Sequence, residues 1–75
     1  RDPKRAVQLA REAAKLTDEK DPKVLDALTD ALHANGEWDE AARYAMLLAE
    51  RSPWYKEYEK RAKKYEEDAE HHRQE

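Results

Sequence analysis

One glycine and three prolines are the only strong helix breakers in this chain of 75 residues, and their placement constrains the fold more than any other feature. Proline is tolerated at the first position of a helix, where its missing N–H would have no intrahelical partner, and is costly further in. Each proline here follows a residue that can cap a helix: Asp2-Pro3, Asp21-Pro22 and Ser52-Pro53. The Asp or Ser oxygen accepts hydrogen bonds from the free N–H groups of the first turn. Gly36 can take the left-handed conformation that closes a helix, so a fourth helix start falls just after it, near Glu37 or Trp38. This punctuation predicts helices over 3–16, 22–34, 38–50 and 53–70.

Apolar residues recur within those bounds at the three-and-four spacing of an amphipathic helix. The first segment has Ala6, Val7, Leu9, Ala10, Ala13, Ala14 and Leu16. The second has Val24, Leu25, Leu28, Ala31 and Leu32, and the third Ala41, Ala42, Ala45, Leu48 and Ala49. The fourth has Trp54, Tyr55, Tyr58, Ala62, Tyr65 and Ala69. The connections are short, so sequential helices should pack antiparallel. Phe is absent and there is no Cys. A chain this small therefore relies on helix packing without disulfides, thiolate metal sites or thiol chemistry. The lack of Cys fits a reducing compartment.

Charged residues make up 44% of the chain, yet 15 basic against 18 acidic residues leave a net charge of −3. Nucleic-acid binding needs clustered Lys and Arg, which this balance argues against. No apolar run approaches membrane-spanning length, and no signal-peptide pattern is present. The chain opens on Arg1 without Met, which fits a longer parent or a trimmed chain.

The stretch 21–53 resembles the tetratricopeptide repeat. The spacing of that family's pattern is carried here by Leu25, Leu28-Thr29 and Leu32, then Ala41, Ala45 and Pro53, and Gly36-Glu37-Trp38-Asp39-Glu40-Ala41 looks like its turn into the second helix. The resemblance implies an all-α, right-handed superhelical fragment of antiparallel hairpins in a single domain. Residues 1–20 would form half a repeat, 21–52 a full hairpin and 53–75 a capping helix. It departs from the pattern where Thr29 replaces a small residue, where Ala45 replaces a large aromatic, and where Met46 and Leu47 replace polar residues. The run Tyr44–Ala49 is apolar nearly all round, and such a helix is expected to be covered on all sides.

Two readings of Met46 and Leu47 follow: core beneath the fourth helix, or an interface to which the small residues Ala42, Ala45 and Ala49 allow close approach. The expected partner-binding set is Ala42, Tyr44, Ala45, Met46, Leu47, Ala49 and Trp54. A second choice, implied by the family's peptide groove, is the second helix's face with Lys23, Asp26, Asp30 and His33, which would favour a basic ligand. Trp54, Tyr58 and Tyr65 share a stripe of the fourth helix and read as core, whereas an exposed Trp54 or Tyr55 would be a binding hot spot. The pairs Glu57–Arg61, Glu59–Lys63, Lys63–Glu67 and Lys64–Asp68 read as one-turn ion pairs supporting that helix.

His33 stands isolated in the sequence. The adjacent His71 and His72 cannot chelate one ion together, although Glu67–His71 and Asp68–His72 have one-turn spacing. Placement near a helix C-terminus already accounts for both histidines. Ser52 reads as a cap, and there is no phosphate-cradling loop, so neither a metal, a cofactor nor a catalytic set is expected. The sequence thus predicts an interaction module for a protein or peptide partner, with no nucleic-acid or membrane role. It also fits a repeat scaffold rebuilt to bind a chosen target. The alternative is a terminal piece of a longer array, or a unit that self-associates into a homodimer.

Overall fold

The computed structural model describes residues 3–16 and 20–73, which form four helices: α1 (Pro3–Leu16), α2 (Pro22–Ala34), α3 (Trp38–Arg51) and α4 (Lys56–Arg73). The class is all-α, and the described residues contain no strand. Caps explain both ends of α2. Asp21 accepts the Lys23 N–H at 3.0 Å and so caps α2, with Pro22 at its first position. The corresponding Asp2 lies outside the described residues. At the other end of α2, Gly36 has φ of +78°. Its N–H donates to the His33 carbonyl (3.1 Å), and the Glu37 N–H donates to the Leu32 carbonyl (3.0 Å). This pair of bonds is the Schellman closure, which satisfies the last carbonyls of a helix.

Ser52-Pro53 does not open the fourth helix. The Ser52 N–H completes α3 by donating to the Leu48 carbonyl, and the Tyr55 N–H then donates to the Ser52 carbonyl at 3.0 Å. The bond closes a four-residue turn with Pro53 at its second position, where the fixed φ of proline suits a β-turn as well as it suits a helix start. Helix α4 therefore begins at Lys56, and Trp54 and Tyr55 are left on the turn, 77% and 50% exposed. Trp54 is not part of an α4 core stripe as the spacing suggested.

Each helix packs chiefly on the next: α1 on α2, α2 on α3, α3 on α4. The molecule is a slab of 35 × 32 × 18 Å. Val7 and Ala14 of α1, Leu28 and Leu32 of α2, and Ala41 of α3 make one core cluster, with Tyr44 and Tyr65 half-buried against it. Leu25, Ala45 and Leu48 are also fully buried. Thr29 lies in this interior as well, and its hydroxyl donates to the Leu25 carbonyl at 2.7 Å, so no polar group is orphaned by its burial. Arg11 of α1 reaches across to Glu37 and Glu40 at 3.0 and 2.6 Å.

Substitutions at two positions separate backbone from packing effects. A Cβ at Gly36 would meet nothing closer than a Trp38 ring carbon at 3.9 Å, so the cost of Gly36→Ala comes from the left-handed backbone alone. It should be about 1–2 kcal/mol in urea unfolding, and smaller for Gly36→Asn, because Asn tolerates that region. Leu28→Ala should cost about 2–5 kcal/mol, the range for opening a cavity under a fully buried leucine.

Candidate interaction surface

Two surfaces can be built from the residues upward. The first is the outer face of α3. Arg43, Met46, Leu47 and Glu50 share one helical face, Met46 and Leu47 each three or four residues from Arg43 and from Glu50, and with Tyr44 they line a shallow groove of about 550 Å³. Met46 is 43% exposed and Leu47 half-buried. Helix α4 does not fold over them. It packs on the adjacent face of α3, where Ala42 and Met46 border a cleft against Glu66, Ala69 and Glu70. The run Tyr44–Ala49 is therefore open on one side, contrary to the expectation of full cover.

The residues expected to act together are divided by the fold. Ala42 and Ala45 are in the interior, at 7% and 0% exposure, and Ala49 is half-buried. Tyr44 leans on the core cluster with part of its ring outside. Trp54 stands on the turn after α3 and does not line the Met46–Leu47 groove. Arg43 and Glu50 border that groove although the sequence reading did not select them. The signal was available, since both fall on the helical face that Met46 and Leu47 define.

The second surface is the polar edge of α2, and α4 occupies much of it. Arg61 Nη1 lies 2.6 Å from Asp26 Oδ1 and 2.9 Å from Asp30 Oδ1. The Tyr65 hydroxyl donates to Asp30 at 3.0 Å. His33 Nε2 is 2.9 Å from Asp68 Oδ2, and the His33 ring stacks on Tyr65 at 4.0 Å. Since residue numbers rise together along these contacts, α2 and α4 run parallel. Three of the four groove residues are thus engaged within the chain, while Lys23 stays exposed.

Arg61 consequently does not serve α4 alone. Glu57 pairs with Lys60 at 3.5 Å, and the guanidinium turns to α2, 5.4 Å from the Tyr58 ring centre and 6.0 Å from that of Tyr65. Its Nε and Nη2 are buried with no hydrogen-bond partner. The two rings supply a cation–π contact beside them. Of the remaining expected pairs, Glu59–Lys63 and Lys64–Asp68 form at 3.8 and 3.5 Å. His33 is not isolated either, because Trp38 meets it edge-on at 5.0 Å and itself stacks on His72 at 4.0 Å. The ladder Tyr65–His33–Trp38–His72 links three helices, a set invisible to spacing because its members are far apart in sequence.

Ionisation follows this geometry. Burial first, and the Asp30 carboxylate second, push the Tyr65 phenol up to about 12. The hydrogen bond from His33 holds Asp68 below the ordinary carboxylate value, assisted by Lys64. Burial would lower the Arg61 guanidinium, but Asp26 and Asp30 outweigh it and the net shift is upward. Among the described residues, no group of three or more His, Cys, Asp or Glu side chains is placed to hold a metal ion, and no helix is long and apolar enough to cross a membrane. No protein-family model, curated protein or solved structure matches this chain.

The raised Tyr65 value gives a pH test. A phenol that ionises near 10 when unfolded and at about 12 when folded contributes stability that is complete below pH 10 and is lost as pH rises through 12. The melting temperature should fall above pH 10, and less steeply for Tyr65→Phe than for the parent chain. Equal slopes would show that the α2–α4 contact does not perturb this phenol.

Proposed function

We propose that this chain is a tetratricopeptide-like interaction module that holds a protein or peptide partner on the outer face of α3 and has no chemistry of its own. The observation that carries this reading is the exposure of Met46, with Leu47 beside it, on a helix against which both α2 and α4 pack. Methionine adapts to irregular partner surfaces. Arg43 and Glu50 give the groove one charge of each sign, which suits an apolar side chain flanked by polar residues. Trp54 and Tyr55, exposed on the neighbouring turn, are aromatic anchors of the kind that dominate binding energy. Apolar residues at positions that a repeat normally leaves polar fit a scaffold engineered to bind a chosen target.

A second reading is favoured by one feature of α1: Leu9 and Leu16 are 56% and 88% exposed. A helix with leucines in water reads as the end of a longer repeat array, or as a self-associating unit. Under that reading the chain is a structural piece and not a receptor.

Met46→Ala/Leu47→Ala tests the module. If the two side chains serve binding, the double variant should unfold within about 1.5 kcal/mol of the parent, against about 2–5 kcal/mol for each if they were core. Peptides selected on the parent chain from a displayed library should bind at least about tenfold more weakly to it, a loss of about 1.4 kcal/mol. Steep destabilisation with unchanged peptide binding would assign the pair to the core.

A further inference from the structure

We propose that the partner of the α3 face is a second copy of this chain, the two α3 helices lying antiparallel about a two-fold axis at the level between Met46 and Leu47. The inference rests on the reading of α3 as the contact face and supplies its occupant. The exposed leucines of α1 take no part in it.

Charge and symmetry select this occupant. Arg43 and Glu50 are both exposed and stand seven residues apart, close to two full turns, so they fall on one line along α3. Met46 and Leu47 lie between them, one on each side of that line. The two pairs share one midpoint, and each charge is roughly 5 Å from it along the helix. The face is positive at one end, negative at the other and apolar between. Among the described residues neither charge has an ion-pair partner. The Arg43 guanidinium lies 5.5 Å from the Tyr44 ring centre, at the edge of the groove.

An isologous interface must be complementary to itself. With the axis at that shared midpoint, level 43 of one helix faces level 50 of the other. Arg43 therefore meets Glu50 of the second copy, and Glu50 meets its Arg43, one ion pair at each end. The two-fold keeps Met46 on one flank of the seam and Leu47 on the other, each against its own counterpart, so four apolar side chains close the centre. A parallel pairing would set Arg43 beside Arg43 and Glu50 beside Glu50, which is repulsive at both ends. A partner of another sequence would need the same charges in reverse order around an apolar pair, and α3 already carries that pattern. Helices α2 and α4 both pack on α3 and hold each other through Arg61–Asp26 and His33–Asp68. The three helices thus touch mutually, and the Met46–Leu47 groove, which no residue of α2 or α4 lines, faces outward. One helix pair buries less than the roughly 1,200–2,000 Å² of stable complexes, and the dimer should be weak.

Sedimentation equilibrium from about 1 µM to about 1 mM, with circular dichroism for helix content, tests the proposal. The parent chain should shift from monomer to dimer within this range. Arg43→Glu makes the face acidic at both ends, and Glu50→Arg makes it basic at both ends. Each variant alone should keep its helix content and dimerise about tenfold more weakly. An equal mixture of the two should pair about as tightly as the parent, and so should the Arg43→Glu/Glu50→Arg double variant. A parent chain that is monomeric throughout overturns the second copy as occupant. The α3 reading then stands if selected peptides bind the parent and lose affinity with Met46→Ala/Leu47→Ala, and falls with it if they do not. A dimer indifferent to both single reversals overturns α3 as its seat. Weakening by both reversals with no recovery in the mixture or the double variant overturns the antiparallel register.

Discussion

Leu25, Leu28 and Leu32 of α2 are fully removed from water, and because α2 is the helix that both α1 and α3 pack against, the remaining contacts depend on that one stripe. Burying a leucine contributes about 1.5–3 kcal/mol, a large share of the margin by which a domain of this size is stable. The alanines of the neighbouring helices serve the same contact from the other side. Ala14, Ala41 and Ala45 add little area themselves, but their small side chains let the backbones come close enough for the leucines to be enclosed.

Helix α4 is held differently. One of its faces rests on α3 through Ala62 and Ala69, which are nearly fully buried. Its other anchor is polar: Arg61 to Asp26 and Asp30, Tyr65 to Asp30, and His33 to Asp68. Ion pairs at a partly wet edge are individually weak. Here the guanidinium is also flanked by tyrosine rings and the histidine is stacked, so ordering one side chain lowers the entropic cost of ordering the next. The face of α2 expected to receive a charged peptide is largely committed to α4.

The two ends of the stack are consequently unlike. Helix α4 presents charge to solvent, whereas α1 presents leucines. Between them the outer face of α3 carries Met46 and Leu47 in a groove that no helix of the chain fills. The proposed interaction role rests on this uncovered apolar surface.

Most of the fold was legible in the sequence, because helix boundaries depend on local chemistry. The Asp21-Pro22 start, the Gly36 stop and the starts of α1, α2 and α3 all fall where capping and backbone freedom place them. The start of α4 was misread for the same local reason: Ser52-Pro53 satisfies a turn as well as a helix start, and only the Tyr55–Ser52 hydrogen bond distinguishes the two. The surfaces were half legible. Periodicity marked the apolar residues of α3, but burial of Ala42 and Ala45 with exposure of Met46 depends on the angle at which α4 arrives, which no single helix encodes. The contacts of Arg61, Tyr65 and Asp68 with α2 join residues that have the whole of α3 between them in the chain, so one-turn spacing assigned Arg61 to Glu57. By itself, the sequence determined where helices begin and end and which stripe of each is apolar, since those properties act within a few residues. The tertiary structure decided which apolar stripes are covered and which remain open, because that depends on how many neighbours each helix acquires.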